Sequence, residues 1–235
     1  MSNVFNRPVA SRNPFKRALQ RAIYFMSLLL NQRRRTTISR AASFRLLVPP
    51  TVFHPRYFLT SEFFASFLDS LDLSGKHVAD VGTGTGILAL AAARAGASTV
   101  IAIDINPNAA RAAAENARLN GLEGISAVCS DLLSAFAPGP LFDIVLANPP
   151  DIPGEASDLA DQAWQAGCNY RVIAPLFEQT RERLAPGGCM YVLLSSEADL
   201  DALSALVEHA RFRVRLVRER SHFIESVLLY ELQPD

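Results

Sequence analysis

The sequence HVADVGTGTG, residues His77 to Gly86, is an apolar run that ends in an acid and then carries a glycine at every second position. Val78, Ala79 and Val81 suit a buried strand, and Gly82, Gly84 and Gly86 allow a sharp turn with the main chain close to a ligand. Ile87 to Ala95, rich in Ala and Leu, reads as a helix. Strand, glycine turn and helix N-terminus in that order form a corner whose N–H groups face a nucleotide. The spacing is D-x-G-x-G-x-G, with Asp80 ahead of the first glycine, whereas a pyrophosphate-binding dinucleotide corner has G-x-G-x-x-G.

Working outward, strands and helices alternate. Thr99 to Ile103 is a β-branched run ending at Asp104, and Pro107 to Leu119 is an Ala-rich helix stopped by Asn120-Gly121. Ile125 to Cys129 is a third strand, followed by Ser130-Asp131-Leu132, and Phe142 to Ala147 is a fourth, delivering Asn148-Pro149-Pro150-Asp151. A helix over Arg171 to Leu184, a Pro186-Gly187-Gly188 turn and a strand over Cys189 to Leu194 come next. A helix over Ala198 to Ala210 and strands over Phe212 to Val217 and Phe223 to Glu231 complete the series. This alternation predicts an α/β fold with a parallel sheet flanked by helices on both faces. In such a sheet ligands bind at the C-terminal edge, where Asp104 is placed to accept hydrogen bonds from two ribose hydroxyls.

The run VADVGTGTGILALAAARAGASTVIAIDINPNAARAAAENARLNG resembles the first two motifs of the class I S-adenosylmethionine-dependent methyltransferases. Asn148-Pro149-Pro150 is similar to the N-P-P-Y motif of the HemK-like members, which methylate planar nitrogens, protein glutamine among them. The resemblance extends from about Val52 to the C-terminus. It implies a Rossmann-like, mostly parallel sheet of seven strands whose last strand is antiparallel. S-adenosylmethionine is the implied cofactor and S-adenosylhomocysteine its product. The implied cofactor contacts are Asp80, Gly82, Thr83, Gly84 and Gly86 in the corner, Asp104 and Ile105, Asp131 and Leu132 at the adenine, and Asn148. The implied catalytic group is Asn148, Pro149, Pro150 and Asp151. In the family the Asn oxygen and the first proline's carbonyl accept the two N–H hydrogens of the target nitrogen, so transfer rests on proximity and preorganised dipoles.

On the acceptor side the family has a V-[YF]-x-P segment before the first strand, matched here by Val52, Phe53 and Pro55. Phe53, Pro55, Asp151 and Trp164 are therefore the expected substrate-binding residues. Position 151 departs from the family, which carries an aromatic ring there. Aspartate cannot stack; it either accepts a hydrogen bond from the substrate, holds a cationic group or takes up a proton, or it simply begins the following loop. Asp151 to Gly167 has the length of a substrate-facing lid.

The reading that follows is an N-methyltransferase acting on an amide-type nitrogen, such as a glutamine side chain of a protein. The alternatives are a small-molecule N-methyltransferase, an RNA or DNA base methyltransferase, and a non-catalytic cofactor-binding module.

The net charge is zero over 235 residues, but its distribution is uneven. Every residue up to Ser61 is neutral or basic, and all 23 acids follow. Residues 1–51 read as a basic arm and 52–235 as the methyltransferase domain. Within the arm, residues 1–17 read as a mobile tail and Arg17 to Gln32 as an amphipathic helix. Ser43 to Pro50 reads as a connector. Three uses of the arm stay open: a lid on the active site, a docking element for RNA or an acidic partner, and a targeting segment. Cys129, Cys168 and Cys189 are too dispersed for a metal pair, no metal cluster is expected, and a cytoplasmic enzyme without a membrane span is the expectation.

Overall fold

The computed structural model describes residues 4–5, 35–54, 60–221 and 226–235. Pro55 and the amphipathic helix expected over Arg17 to Gln32 lie outside the described residues. Among the described residues nine strands fall into two sheets: a hairpin of β1 (Thr37–Ala41) and β2 (Phe44–Val48), and a seven-stranded sheet. The larger sheet comprises β3 (His77–Val81), β4 (Thr99–Asp104), β5 (Ile125–Cys129), β6 (Phe142–Ala147), β7 (Leu184–Ser195), β8 (Phe212–Ser221) and β9 (Ser226–Pro234). Its order is β5-β4-β3-β6-β7-β9-β8. The first five are parallel, and β9 runs antiparallel to both β7 and β8. The seven-stranded expectation, with its antiparallel last strand, is met.

Successive residues of a strand point to opposite faces, and the sheet uses this to serve two cores. Val78, Val100, Ala102, Ile144, Leu146 and Leu193 face helices α1 (Thr60–Leu68), α2 (Ile87–Arg94) and α3 (Pro107–Leu119). Ala79, Val81, Ile103, Val145, Val192 and Leu194 face α4 (Ala174–Arg183) and α5 (Leu200–His209). The Phe63, Phe64 and Leu68 stripe of α1 is buried in the first core, as its helical spacing predicts.

Two readings of the N-terminal region are corrected. The connector over Ser43 to Pro50 is instead half of a hairpin, and Phe44, Leu46 and Val48 enter the first core beside α1 and α2. Residues on both sides of position 51 thus contribute to one core. Nor is the start of the chain wholly a free tail: Phe5 is 4% exposed, and its ring lies 4.7 Å from that of Tyr230. The Val4 N–H donates to Ser204 Oγ at 2.9 Å.

Further on, α4 starts three residues later than the periodicity suggests, because the Val172 N–H turns back to Ala166 O at 3.1 Å. The Pro186-Gly187-Gly188 turn sits inside β7 as an irregularity: Phe142 pairs with Leu184, but Ile144 pairs with Cys189.

Candidate functional site

The glycine corner begins at the C-terminal end of β3. Gly82 and Thr83 donate their N–H groups to Ile103 O, both at 2.9 Å, which draws the loop toward the end of β4. Gly82 and Gly84 have φ of 75° and 56°, and a Cβ built on either meets no atom within 4 Å. Their open sides thus face free space, where a side chain would occupy the volume a ligand needs. Gly86 is different. At φ 84° its added Cβ would stand 3.0 Å from Ala113 Cα and Cβ, so this glycine lets α2 approach α3.

Asp80 lies beneath the loop and is 1% exposed. Its Oδ2 accepts from Thr83 Oγ1 at 2.6 Å and from the Ala89 N–H at 3.0 Å. The carboxylate therefore caps the first turn of α2 from a distance, at the positive end of the helix. Burial nevertheless dominates and pushes its pKa up to about 7, with the two hydrogen bonds opposing that shift. Thr83 likewise turns its hydroxyl inward to Asp80. Both are expected cofactor contacts; in the structure their side chains bond each other, and Asp80 also holds the Ala89 N–H.

Asp104, at the tip of β4, accepts from the Gly84 N–H on Oδ2 and from the Asn106 N–H on Oδ1, each at 2.9 Å. Burial raises its pKa while these two bonds lower it. Asp104 pairs in register with Cys129 of β5, and the Ser130 N–H donates to Asp104 O at 3.0 Å. That pairing brings Ile105 and the Ser130-Asp131-Leu132 turn to one edge. Ile105 is 48% exposed, an uncovered large aliphatic side chain next to Asp104 in the chain. Asp131 is exposed, and Leu132 is half-buried with φ 49°. This set of groups fits a nucleoside: carboxylates to accept from a diol and an amine, an apolar side chain for a flat base, and an open glycine turn.

Asn148, Pro149, Pro150 and Asp151 continue from β6, which lies beside β3 in the sheet, so the turn adjoins the glycine corner. Beyond it the loop folds back on itself. The Ile152 N–H donates to Trp164 O at 3.3 Å, and Ala166 N–H donates to Ile152 O at 2.8 Å. This pairing returns Trp164 to the turn, where Phe53 meets it with ring centroids 5.0 Å apart and planes tilted by 51°. Two expected acceptor-side residues, more than a hundred positions apart, are thereby brought together. Buried Tyr170 braces the same loop: the Asp199 N–H donates to its hydroxyl at 2.8 Å, and that hydroxyl donates to Asp151 O at 3.4 Å.

Sequence reading missed the asparagines that attach the upstream segment. Asn106 Nδ2 donates to Thr51 O at 2.8 Å, and Asn108 Nδ2 to Thr51 Oγ1 at 3.0 Å. On the same helix Asn116 bonds to both main-chain groups of Leu47, and Asn120 to both of Arg45. The available signal was an asparagine at 116 among Ala109, Ala112, Ala113 and Ala117, a polar residue on an otherwise apolar face.

The profile of the ribosomal protein L11 methyltransferase (PrmA) family matches residues 59–150. A chain of Methanocaldococcus jannaschii, provisionally named a protein N5-glutamine methyltransferase, is 34% identical over 149 residues, which cover 61% of this chain and 74% of that one. The ribosomal protein L11 methyltransferase of Porphyromonas gingivalis is 40% identical over 178 residues, 76% of this chain and 54% of the relative. The chain thus spans about half the length of the second relative. Among solved structures, the T. thermophilus 16S rRNA N2 G1207 methyltransferase, bound to AdoMet and guanosine, superposes with a TM-score of 0.62 at 22% identity, covering 85% of this chain and 50% of that one. The E. cuniculi complex that methylates the eRF1 translation termination factor gives 0.61 at 22% identity, covering 79% and 99%. These last two likenesses concern the fold. Strand order, glycine corner and sequence relatives together establish that the chain belongs to the class I S-adenosylmethionine-dependent methyltransferases, in their HemK-like branch.

Proposed function

We propose that this methyltransferase acts on an amide-type nitrogen of a protein, a glutamine side chain being the acceptor it suits best. The observation that carries this reading is Asn148-Pro149-Pro150 at the tip of β6, on the strand next to the glycine corner. The name given to the archaeal relative points the same way.

In this reading Asp104 holds the ribose, Asp131 and Leu132 meet the adenine edge with Ile105 against its face, and Gly82 and Gly84 leave room for the rest of the cofactor. S-adenosylmethionine supplies an electrophilic methyl group on a sulfonium sulfur. Asn148 Oδ1 and Pro149 O accept the two N–H hydrogens of the target amide, whose lone pair is otherwise delocalised. Holding both hydrogens aims the nitrogen and places negative dipole ends where positive charge develops. Two successive prolines keep the Pro149 carbonyl fixed. The nitrogen loses one proton as the new N–C bond forms, and the Asp151 carboxylate is the group of this turn able to receive it. Phe53 and Trp164 offer an apolar wall to the acceptor, with Pro55 continuing the segment that carries Phe53.

Asp151 also favours a second reading, because a carboxylate here suits a small polar or cationic amine better than an aromatic residue would. Methyl transfer from radiolabelled S-adenosylmethionine into fractionated lysate separates the two. Label in protein that disappears with Asn148→Ala supports the amide reading, and label confined to small molecules refutes it. Label in nucleic acid would refute both.

A further inference from the structure

Thr51 belongs to none of the groups assigned above, yet it joins both ends of the site. It lies inside a turn closed by the Val52 N–H donating to Pro49 O at 3.1 Å. The Val52 side chain is buried, which fixes the segment in the core. Thr51 O accepts from Asn106 Nδ2 at 2.8 Å, and its Oγ1 accepts from Asn106 Nδ2 at 3.3 Å and Asn108 Nδ2 at 3.0 Å. Asn106 is itself a junction. Its N–H donates to Asp104 Oδ1, and its Oδ1 caps α3 through the Asn108 N–H at 3.0 Å. On the other side, two residues beyond Thr51, Phe53 packs on Trp164. Contacts thus run from Asp104 through Asn106 to Thr51, and the main chain at Val52 carries the path on to Phe53 and Trp164.

We infer that Thr51 is a positioning residue that couples the cofactor end of the site to the aromatic pair on the acceptor side. The inference rests on the ribose reading of Asp104. Each Asp104 oxygen already accepts one main-chain N–H, from Gly84 or from Asn106, so a diol arriving there must share those oxygens. Any resulting shift of Asn106, and of Asn108 which it caps, is passed to Thr51 through three side-chain bonds, two from Asn106 Nδ2 and one from Asn108 Nδ2. Phe53, two residues on and anchored by buried Val52, has little freedom to absorb it. Cofactor binding therefore sets the aromatic wall before the acceptor arrives, which makes cofactor first and acceptor second the productive order.

Trp164 is the only tryptophan in the chain, so its emission reports this pair directly. The wild type, Thr51→Val, Asn108→Ala and the double variant are titrated with S-adenosylhomocysteine, recording both the heat of binding and Trp164 emission. Valine keeps the shape of Thr51 and removes the acceptor oxygen; Asn108→Ala removes the donor from the other side. The expected result is binding within about fivefold of wild type in all four proteins, with a wild-type emission change that falls by about half or more in each single variant. The double variant should be no worse than Thr51→Val, since that variant already removes both bonds to Thr51 Oγ1, the one from Asn108 included. A wild type whose emission ignores the ligand, or single variants that respond in full, would overturn the coupling. Variants that stay folded but lose about tenfold or more in affinity would also overturn it, because Thr51 would then belong to the cofactor site. Absence of any binding heat with wild type would instead refute the ribose reading, and the inference with it.

Discussion

Asn116 and Leu47 pair as two strands would. The Leu47 N–H donates to Asn116 Oδ1 at 2.7 Å, and Asn116 Nδ2 donates back to Leu47 O at 3.0 Å. One turn later Asn120 repeats the pattern with Arg45, at 2.9 and 2.8 Å. Two side-chain amides spaced i, i+4, on α3 and at its C-cap, thus take the place of a second neighbouring strand on the edge of β2 away from β1, where none stands among the described residues. Asn116 is 0% exposed and also donates to Thr85 O at 2.9 Å, which ties the hairpin to the glycine corner.

Asn116→Ala strands three main-chain groups at once. With each unsatisfied buried group costing about 1–3 kcal/mol, a loss of about 3 kcal/mol or more is expected, equivalent to a fall in Tm of about 6–12 °C. Thermal unfolding followed by circular dichroism measures it, and a fall of under about 2 °C would mean that the clamp does not hold the hairpin.

Asp80 gives stability an inverted pH dependence. Its pKa is about 7 in the folded protein against a usual 3.8, so between those values the folded state holds more protons than the unfolded one. Its contribution is present in full below about pH 4 and is lost as the pH rises through about 7. Asp80→Asn, which cannot ionise, should match the wild type more closely at pH 5 and exceed it at pH 8 in urea unfolding. A wild-type-minus-variant difference that stays flat from pH 4 to 8 would rule this out.

The glycines of the corner should separate into two classes. Gly86→Ala forces contact with Ala113 at a positive φ and is expected to lower stability by about 2 kcal/mol. Gly84→Ala meets open space, so only the backbone cost of about 1 kcal/mol applies, while affinity for S-adenosylhomocysteine falls by about tenfold or more. Calorimetric titration beside thermal melts tests both; equal affinity losses with equal melts would collapse the distinction.

Asn148→Ala should leave S-adenosylhomocysteine binding within a few fold and lower kcat by about 10²–10³, the range for removing one preorganised contact to a developing charge. Single-turnover kinetics with the identified acceptor measure this. Unchanged kcat would remove Asn148 from the catalytic group.

The parallel half of the sheet was legible because its signals are local. The apolar run into Asp80, the glycine spacing and Pro107 at the head of α3 each specify their own element, and β5 and β6 end where the sequence places them. The hairpin was not legible. Thr37–Ala41 and Phe44–Val48 are short and interrupted by Arg40 and Arg45, and β2 depends on asparagines some seventy residues away. At the site, the four strand tips were readable as a set. What remained hidden was direction: nothing local says that Asp80 and Thr83 turn inward, that Gly86 serves helix packing, or that Phe53 meets Trp164. Each of those depends on a neighbour distant in sequence.

The amides of Asn116 and Asn120 address only main-chain atoms of β2, so they impose a backbone shape on the hairpin and almost no amino-acid identity at 45 and 47. Exposed Ile38, Arg40 and Arg45 are therefore free to change while the strap stays seated. Sequence on the outer face of the hairpin can thus drift without disturbing the glycine corner to which Asn116 ties it.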